Sequence, residues 1–139
     1  MTDQLCSFQL AGMTFGVNAV EVQEVMRAQP VTRVPLADPA VVGLMNLRGQ
    51  IVTTIDLRTR FGLPPRAASD KPINVVIRCA DGMFSLLVDS IGDVVSPAGE
   101  SFEALPENVP SLFRDLIAGA YKLPDRLLFV LVLDRVVSA

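Results

Sequence analysis

Residues 42–58 read Val42-Gly43-Leu44-Met45-Asn46-Leu47-Arg48-Gly49-Gln50-Ile51-Val52-Thr53-Thr54-Ile55-Asp56-Leu57-Arg58. Two apolar runs, Val42 to Leu47 and Gln50 to Ile55, are separated by Arg48-Gly49. That spacing predicts a two-residue β-hairpin with Gly49 at a positive φ. Asp56 stands where it can cap a short helix, Leu57 to Phe61, which Gly62 and Pro64-Pro65 close. The plan returns near the C-terminus: Ile117 to Leu123 with an early Gly119, a turn, the apolar run Leu127 to Leu133, then Asp134-Arg135-Val136. Gly43 and Gly119 lie 76 residues apart and Asp56 and Asp134 lie 78 apart, a difference that fits a longer turn through Pro124-Asp125. Two similar half-units follow from this self-similarity.

Upstream, Cys6, Phe8 and Leu10 alternate with polar residues, Ala11-Gly12 supplies a turn, and Met13, Phe15 and Val17 resume the alternation, which gives an opening hairpin. Asn18 precedes Glu21 at capping-box spacing, so a short helix from Ala19 to Met26 is expected. On it Val22, Val25 and Met26 would face the core, with Glu24 nearly opposite. Pro30 and Pro35 push Val31 to Val34 into an extended run, and Asp38-Pro39 starts a single turn. Downstream, Pro64 to Lys71 reads as a loop and strands are expected at Ile73 to Cys79, Met83 to Val88 and Ile91 to Ser96. Pro97 to Pro110 reads as irregular, with Phe102 and Leu105 tucked beneath it. The opening hairpin also weakly matches Met83 to Val95, with Glu24-Val25 and Asp93-Val94 in comparable positions. Two short-stranded halves suggest a pair of small β-barrels of about five strands each.

The chain has 139 residues, 50% of them hydrophobic, 19% charged and none histidine. Without imidazole, Ser-His-Asp or Cys-His nucleophile pairs, His-ligated zinc and a phospho-accepting histidine are excluded. The net charge of −3, from 12 Lys+Arg against 15 Asp+Glu, gives no basic footprint for nucleic acid. Mean hydropathy is +0.44, yet the longest apolar run is far shorter than the ~20 residues of a membrane span, so no membrane insertion is expected. The chain opens on no charged and apolar leader, and Cys6 and Cys79 make neither a disulfide framework nor a zinc site; a reducing cytoplasm is the default. Both thiols read as small buried hydrophobes.

Glu21, Glu24, Asp56, Asp89, Asp93 and Asp134 could in principle pair for acid–base work. Each has a plainer use: a capping box, N-caps at Asp56 and Asp134, and the flanks of a tight connection at Asp89 and Asp93. Neither glycine-rich phosphate cradle occurs. Arg48 at its hairpin tip admits two readings, a solvated turn residue or a guanidinium that orders a carboxylate or meets a partner's, with Glu24 a plausible mate by charge. The surplus apolar content predicts outer patches that dock other proteins.

The residues Phe15-Gly16-Val17, Val22-Gln23-Glu24-Val25, Pro30 to Pro35, Gly43, Asn46-Leu47-Arg48-Gly49, Ile55-Asp56-Leu57-Arg58, Val88-Asp89 and Gly92-Asp93-Val94-Val95 together resemble the CheW family of bacterial chemotaxis coupling proteins. Matches at Asp125-Arg126 and Asp134 extend the likeness from about Leu5 to Val137. The resemblance implies an all-β fold with a few short helices: two intertwined five-stranded SH3-like barrels sharing a hydrophobic interface, within one domain over residues 1–139. It implies a cytoplasmic, non-catalytic adaptor without cofactor or metal, associated with membrane chemoreceptor arrays. Its partners would be the regulatory domain of the histidine kinase CheA and the cytoplasmic tip of methyl-accepting chemoreceptors. Carried over by motif, Val22, Glu24, Gly43, Arg48 and Val94 would face the receptor, while Asn46, Leu47, Gly49 and Asp56 would build the motif. Val52-Thr53-Thr54 and the apolar Leu36 to Leu44, with Val42 where lysine is common, depart from the family pattern. A variant adaptor of a surface-motility or developmental pathway, or one that binds only the kinase, is therefore the alternative. A small-ligand sensor is a distant third.

Overall fold

The computed structural model describes residues 4–27, 29–35, 38–97 and 101–138. The opening hairpin is β1 (Leu5–Leu10) and β2 (Met13–Asn18), turned by Ala11 and Gly12, both at positive φ. A single 3-10 turn, Ala19–Glu21, follows, with Asn18 Oδ1 accepting from the Val20 amide at 3.1 Å. The chain then enters strand β3 (Val22–Arg27), not the helix expected over Ala19 to Met26. Its burial alternates: Val22, Glu24 and Met26 are half-buried while Gln23, Val25 and Arg27 are exposed. Glu24 thus shares a face with Val22 and Met26, and Val25, expected in the core, is 46% exposed. The β-branched residues suit a pleated strand, and the later strand β6 (Ile73–Cys79) offers it an edge to pair with.

The decisive hairpin is β4 (Val41–Leu47) and β5 (Gln50–Asp56), followed by α1 (Leu57–Arg60) with Asp56 as its N-cap. The second half holds β6 (Ile73–Cys79), β7 (Gly82–Val88), β8 (Ser90–Val95), the two-residue β9 (Phe102–Glu103), α2 (Ser111–Leu116), β10 (Ile117–Lys122), β11 (Leu127–Leu131) and α3 (Leu133–Val137). Helix α2 carries no sequence signal noted above. Pro64 to Lys71 is a loop as expected. Between Pro30 and Pro35 the only ladder contact among the described residues is one bridge, Thr32 to Leu44; Leu36 and Ala37, within the apolar stretch singled out above, lie outside the described residues.

The strands form two sheets, in the orders β8-β1-β2-β11-β10-β9 and β3-β6-β7-β5-β4. Each half places its hairpin in one sheet and its later strands in the other, and parallel pairs β2·β11 and β5·β7 join the halves. This is the intertwining expected, although the ladders leave both sheets open and one has a sixth strand. In the five-stranded sheet the Thr32 bridge brings the chain leaving β3 onto β4, so the sheet curls around Met45, Val52 and Val76 with Met26 and Leu47 against them. The larger core lies between the sheets and centres on Phe15, which contacts Phe8, Phe61, Phe113 and Phe129. Phe102 is not tucked away: it is exposed and lies against the Tyr121 ring and over Gly119, whereas Leu105 packs on the core. Cys6 and Cys79 are half-buried against that core, and burial raises the Cys6 thiol pKa.

The ladder registers make the internal repeat explicit. The last strand residues before the hairpin turns, Leu10 and Cys79, are 69 apart, as are Val25 and Val94, which pair with Val75 and Cys6 at matching depth. The weak match of Glu24-Val25 to Asp93-Val94 is therefore real. For the later strands the offset is 76 throughout: Leu44 corresponds to Ala120, Thr53 to Phe129 and Leu57 to Leu133. The turn through Pro124-Asp125 is thus no longer than the one at Arg48-Gly49, and Asp134 corresponds to Arg58, not to Asp56. Nor does Asp134 cap α3; Val132 holds that place without a side-chain bond, and Asp134 sits in the first turn.

Candidate functional site

The Asn46-Leu47-Arg48-Gly49 tip is built from its residues. Arg48 and Gly49 both adopt positive φ, 50° and 85°, the pair of left-handed residues that matches strand twist in a two-residue hairpin. Gly49 takes this at no steric cost, whereas Arg48 carries roughly 1 kcal/mol. The Asn46 side chain offsets it by accepting from the Gly49 amide at 2.9 Å. Leu47 packs onto the small core beneath the tip. Arg48 itself is 74% exposed and donates to Glu24 Oε1 on β3, so the outer strand and the hairpin tip of the curled sheet are joined by an ion pair. The other Glu24 oxygen is buried and has no hydrogen-bond partner among the described residues. Of the two readings of Arg48, the one in which it orders a carboxylate describes the structure.

Gly43 is buried under the chain that leaves β3. A Cβ there would stand 2.3 Å from the Thr32 carbonyl oxygen, and backbone cannot yield. A Cβ on Gly119, its repeat counterpart, would meet the Glu103 carbonyl at 2.6 Å; in both strands the register shifts just before the glycine, and the missing side chain lets another segment cross closely. Gly43→Ala is expected to lower stability by about 1–3 kcal/mol and to speed amide exchange at Thr32 and Leu44 above all other sites. Uniform exchange would show that Gly43 does not seat this segment.

Val22 on β3 is half-buried against the large core, and Val94 on β8, the edge of the six-stranded sheet, is 56% exposed. Four of the five carried-over residues thus belong to the five-stranded sheet and its hairpin tip, and Val94 to the other sheet. Exposed Val25 and Val94 are repeat counterparts and present apolar side chains on the third strand of each half.

A second constellation escaped the sequence reading. Arg66, in the loop after α1, donates to both Asp56 oxygens at 2.9 Å, to Asp89 Oδ1 at 2.9 Å and to the Leu87 carbonyl at 3.1 Å. Arg58 donates to both Asp89 oxygens, at 2.9 and 2.5 Å, and to the Pro64 carbonyl. The Ala11 amide reaches Asp89 at 2.8 Å. Asp56 is therefore more than a helix cap, and Asp89 ties three segments together. Burial pushes the Asp89 carboxyl upward, but the Arg58 hydrogen bonds, the Ala11 amide and both arginine charges outweigh it and hold the group at about 2. The adjacency of Asp56-Leu57-Arg58 and the lone Val88-Asp89 were the only signals in the sequence.

Among the described residues no group of His, Cys, Asp or Glu is arranged to hold a metal ion, and no helix is long and apolar enough to cross a membrane. The surfaces suit recognition of other proteins: an ion-paired charged tip and exposed valines on edge strands. The model of the CheW-like domain matches residues 4–139. The chemotaxis protein CheW of Bacillus subtilis is 29% identical over 137 residues, covering 96% of this chain and 88% of that protein. The probable chemotaxis protein CheW of Rhizobium etli is 27% identical over 135 residues, covering 97% and 87%. Among solved structures, the scaffolding protein TtCheW from Thermoanaerobacter tengcongensis superposes with a TM-score of 0.84 at 27% identity, covering 94% of this chain and 89% of that one.

Proposed function

The chain belongs to the CheW-like domain family, whose members are chemotaxis coupling adaptors, and from that premise we propose that it joins methyl-accepting chemoreceptors to the histidine kinase CheA without catalysing a reaction. On this reading the whole chain acts as one cytoplasmic domain at the receptor array, its two barrel-like halves meeting different partners. The observation that carries the receptor side is the Arg48–Glu24 pair, which holds a solvent-facing guanidinium at the hairpin tip. Val22 and Val94 would add apolar contact, and Gly43 would act by seating the Thr32 segment instead of touching the receptor. Asn46, Leu47, Gly49 and Asp56 would hold the shape.

Reconstitution with receptor fragments and CheA tests this. Arg48→Ala and Glu24→Ala are each expected to weaken receptor-dependent assembly by about tenfold, with binding of the kinase regulatory domain unchanged. Wild-type assembly by both variants would instead favour an adaptor that docks only the kinase. Failure of the wild-type chain to bind the regulatory domain would remove the coupling reading altogether.

A further inference from the structure

The repeat relates two ends of the molecule that carry different chemistry. At one end the Arg66 guanidinium lies among Asp56, Asp89 and the Leu87 carbonyl, beside Arg58. At the offsets fixed by the ladders, Val132 takes the place of Asp56, Asp134 that of Arg58, Asn18 that of Leu87 and Val20 that of Asp89. Asn18, Val132 and Asp134 line a cavity of about 340 Å³ together with Leu5, Glu21 and Tyr121. The surroundings of a bound guanidinium in one half therefore correspond to a cavity wall in the other.

The charge of this cavity is one-sided. Glu21 and Asp134 both face it, none of the described residues lining it is basic, and among the described residues neither carboxylate has a cationic partner. Their proximity is unfavourable: burial and then the Asp134 charge raise the Glu21 pKa. Phe102, whose ring centroid lies 4.9 Å from that of Tyr121, completes an aromatic wall beside the two acids. Paired carboxylates next to ring faces suit a flat cation that can be hydrogen-bonded at its edge and stacked on its face, which describes guanidinium better than ammonium.

We propose that this cavity receives an arginine side chain from a partner protein, held by Glu21 and Asp134 against Tyr121 and Phe102, as Arg66 is held at the equivalent end by the chain's own carboxylates. The proposal is independent of the coupling reading, because it uses neither Arg48 nor Glu24. It is tested by titrating the full chain with Nα-acetyl-arginine amide and following backbone amide NMR shifts. Saturable shifts at Asn18, Glu21, Tyr121 and Asp134, with affinity on the order of millimolar, are expected, and Nα-acetyl-lysine amide should bind more weakly. The double variant Glu21→Gln/Asp134→Asn should lose at least about tenfold in affinity while its melting temperature holds or rises, because a like-charged pair has been removed. Arg48→Ala should leave the titration unchanged. Non-saturating shifts spread over surface acids, equal affinity in the double variant, or a lower melting temperature in it would overturn the site. So would concentration-dependent self-association that shifts the same amides without the probe, since the occupant would then be a second copy of this chain.

Discussion

Phe15→Ala is expected to lower the unfolding free energy by about 3–5 kcal/mol, with a fall in melting temperature of roughly 10 °C or more. Phe15 is fully buried, and the rings around it come from β1, the end of α1, α2 and β11, at centroid distances of 6.0, 5.2, 6.4 and 5.7 Å. Truncation therefore opens a cavity where both halves meet. Phe113 also meets both Phe61 and Phe129, and a cluster braced on several sides collapses poorly into the space. Phe102→Ala is the control, because that ring is exposed and has Tyr121 as its single ring neighbour; its cost should stay near 1 kcal/mol or below. Urea denaturation of both variants decides the matter. A loss below about 1.5 kcal/mol for Phe15→Ala would mean that the halves are held mainly by their ladders.

Asp89→Asn is expected to cost about 2–4 kcal/mol at neutral pH, and the deficit should be pH-dependent. The carboxyl is held at about 2 when folded, below its ordinary value of about 3.9 in an open chain. A depressed carboxyl stabilises the folded state fully above the unfolded pKa and loses that contribution as pH falls through the folded one. For Asp89 the window runs from about pH 4 down to about pH 2, and the contribution at neutral pH is roughly 2 kcal/mol. The amide variant has no such titration, so its deficit relative to wild type should shrink steadily across that window. Side chains of Arg66 and Arg58 are only 9% and 15% exposed, so loss of the carboxylate leaves two little-hydrated cations short of a partner. Asp93→Asn, at an exposed position on β8, should have no comparable effect. Denaturation midpoints between pH 2 and 7 check this, and a pH-independent deficit would show that packing, not charge, is what Asp89 supplies.

The hairpins were legible because their signals are local. Ala11-Gly12 and Arg48-Gly49 specify their turns within four residues, Asp56 caps the helix beside it, and alternating burial follows alternating composition. The Arg66 cluster was illegible because its members lie on three segments and nothing in a loop arginine announces which carboxylates it will meet. Asp134 was misplaced for a related reason: a matching residue type suggested its register, and only the ladder fixed it two residues away.

The segment after Asn18 marks the boundary between the two kinds of information. By itself the sequence determined two β-rich halves, their hairpin turns and the family, since each depends on neighbouring residues or on a linear pattern. Tertiary structure alone decided that Val22 to Arg27 is a strand, that Arg48 pairs with Glu24, and that Arg66 fills one end of the repeat while acids face a cavity at the other. A helix satisfies its amides within its own length, so its signal is local. A strand satisfies them on another strand, and the partner of β3 is β6, some fifty residues along the chain.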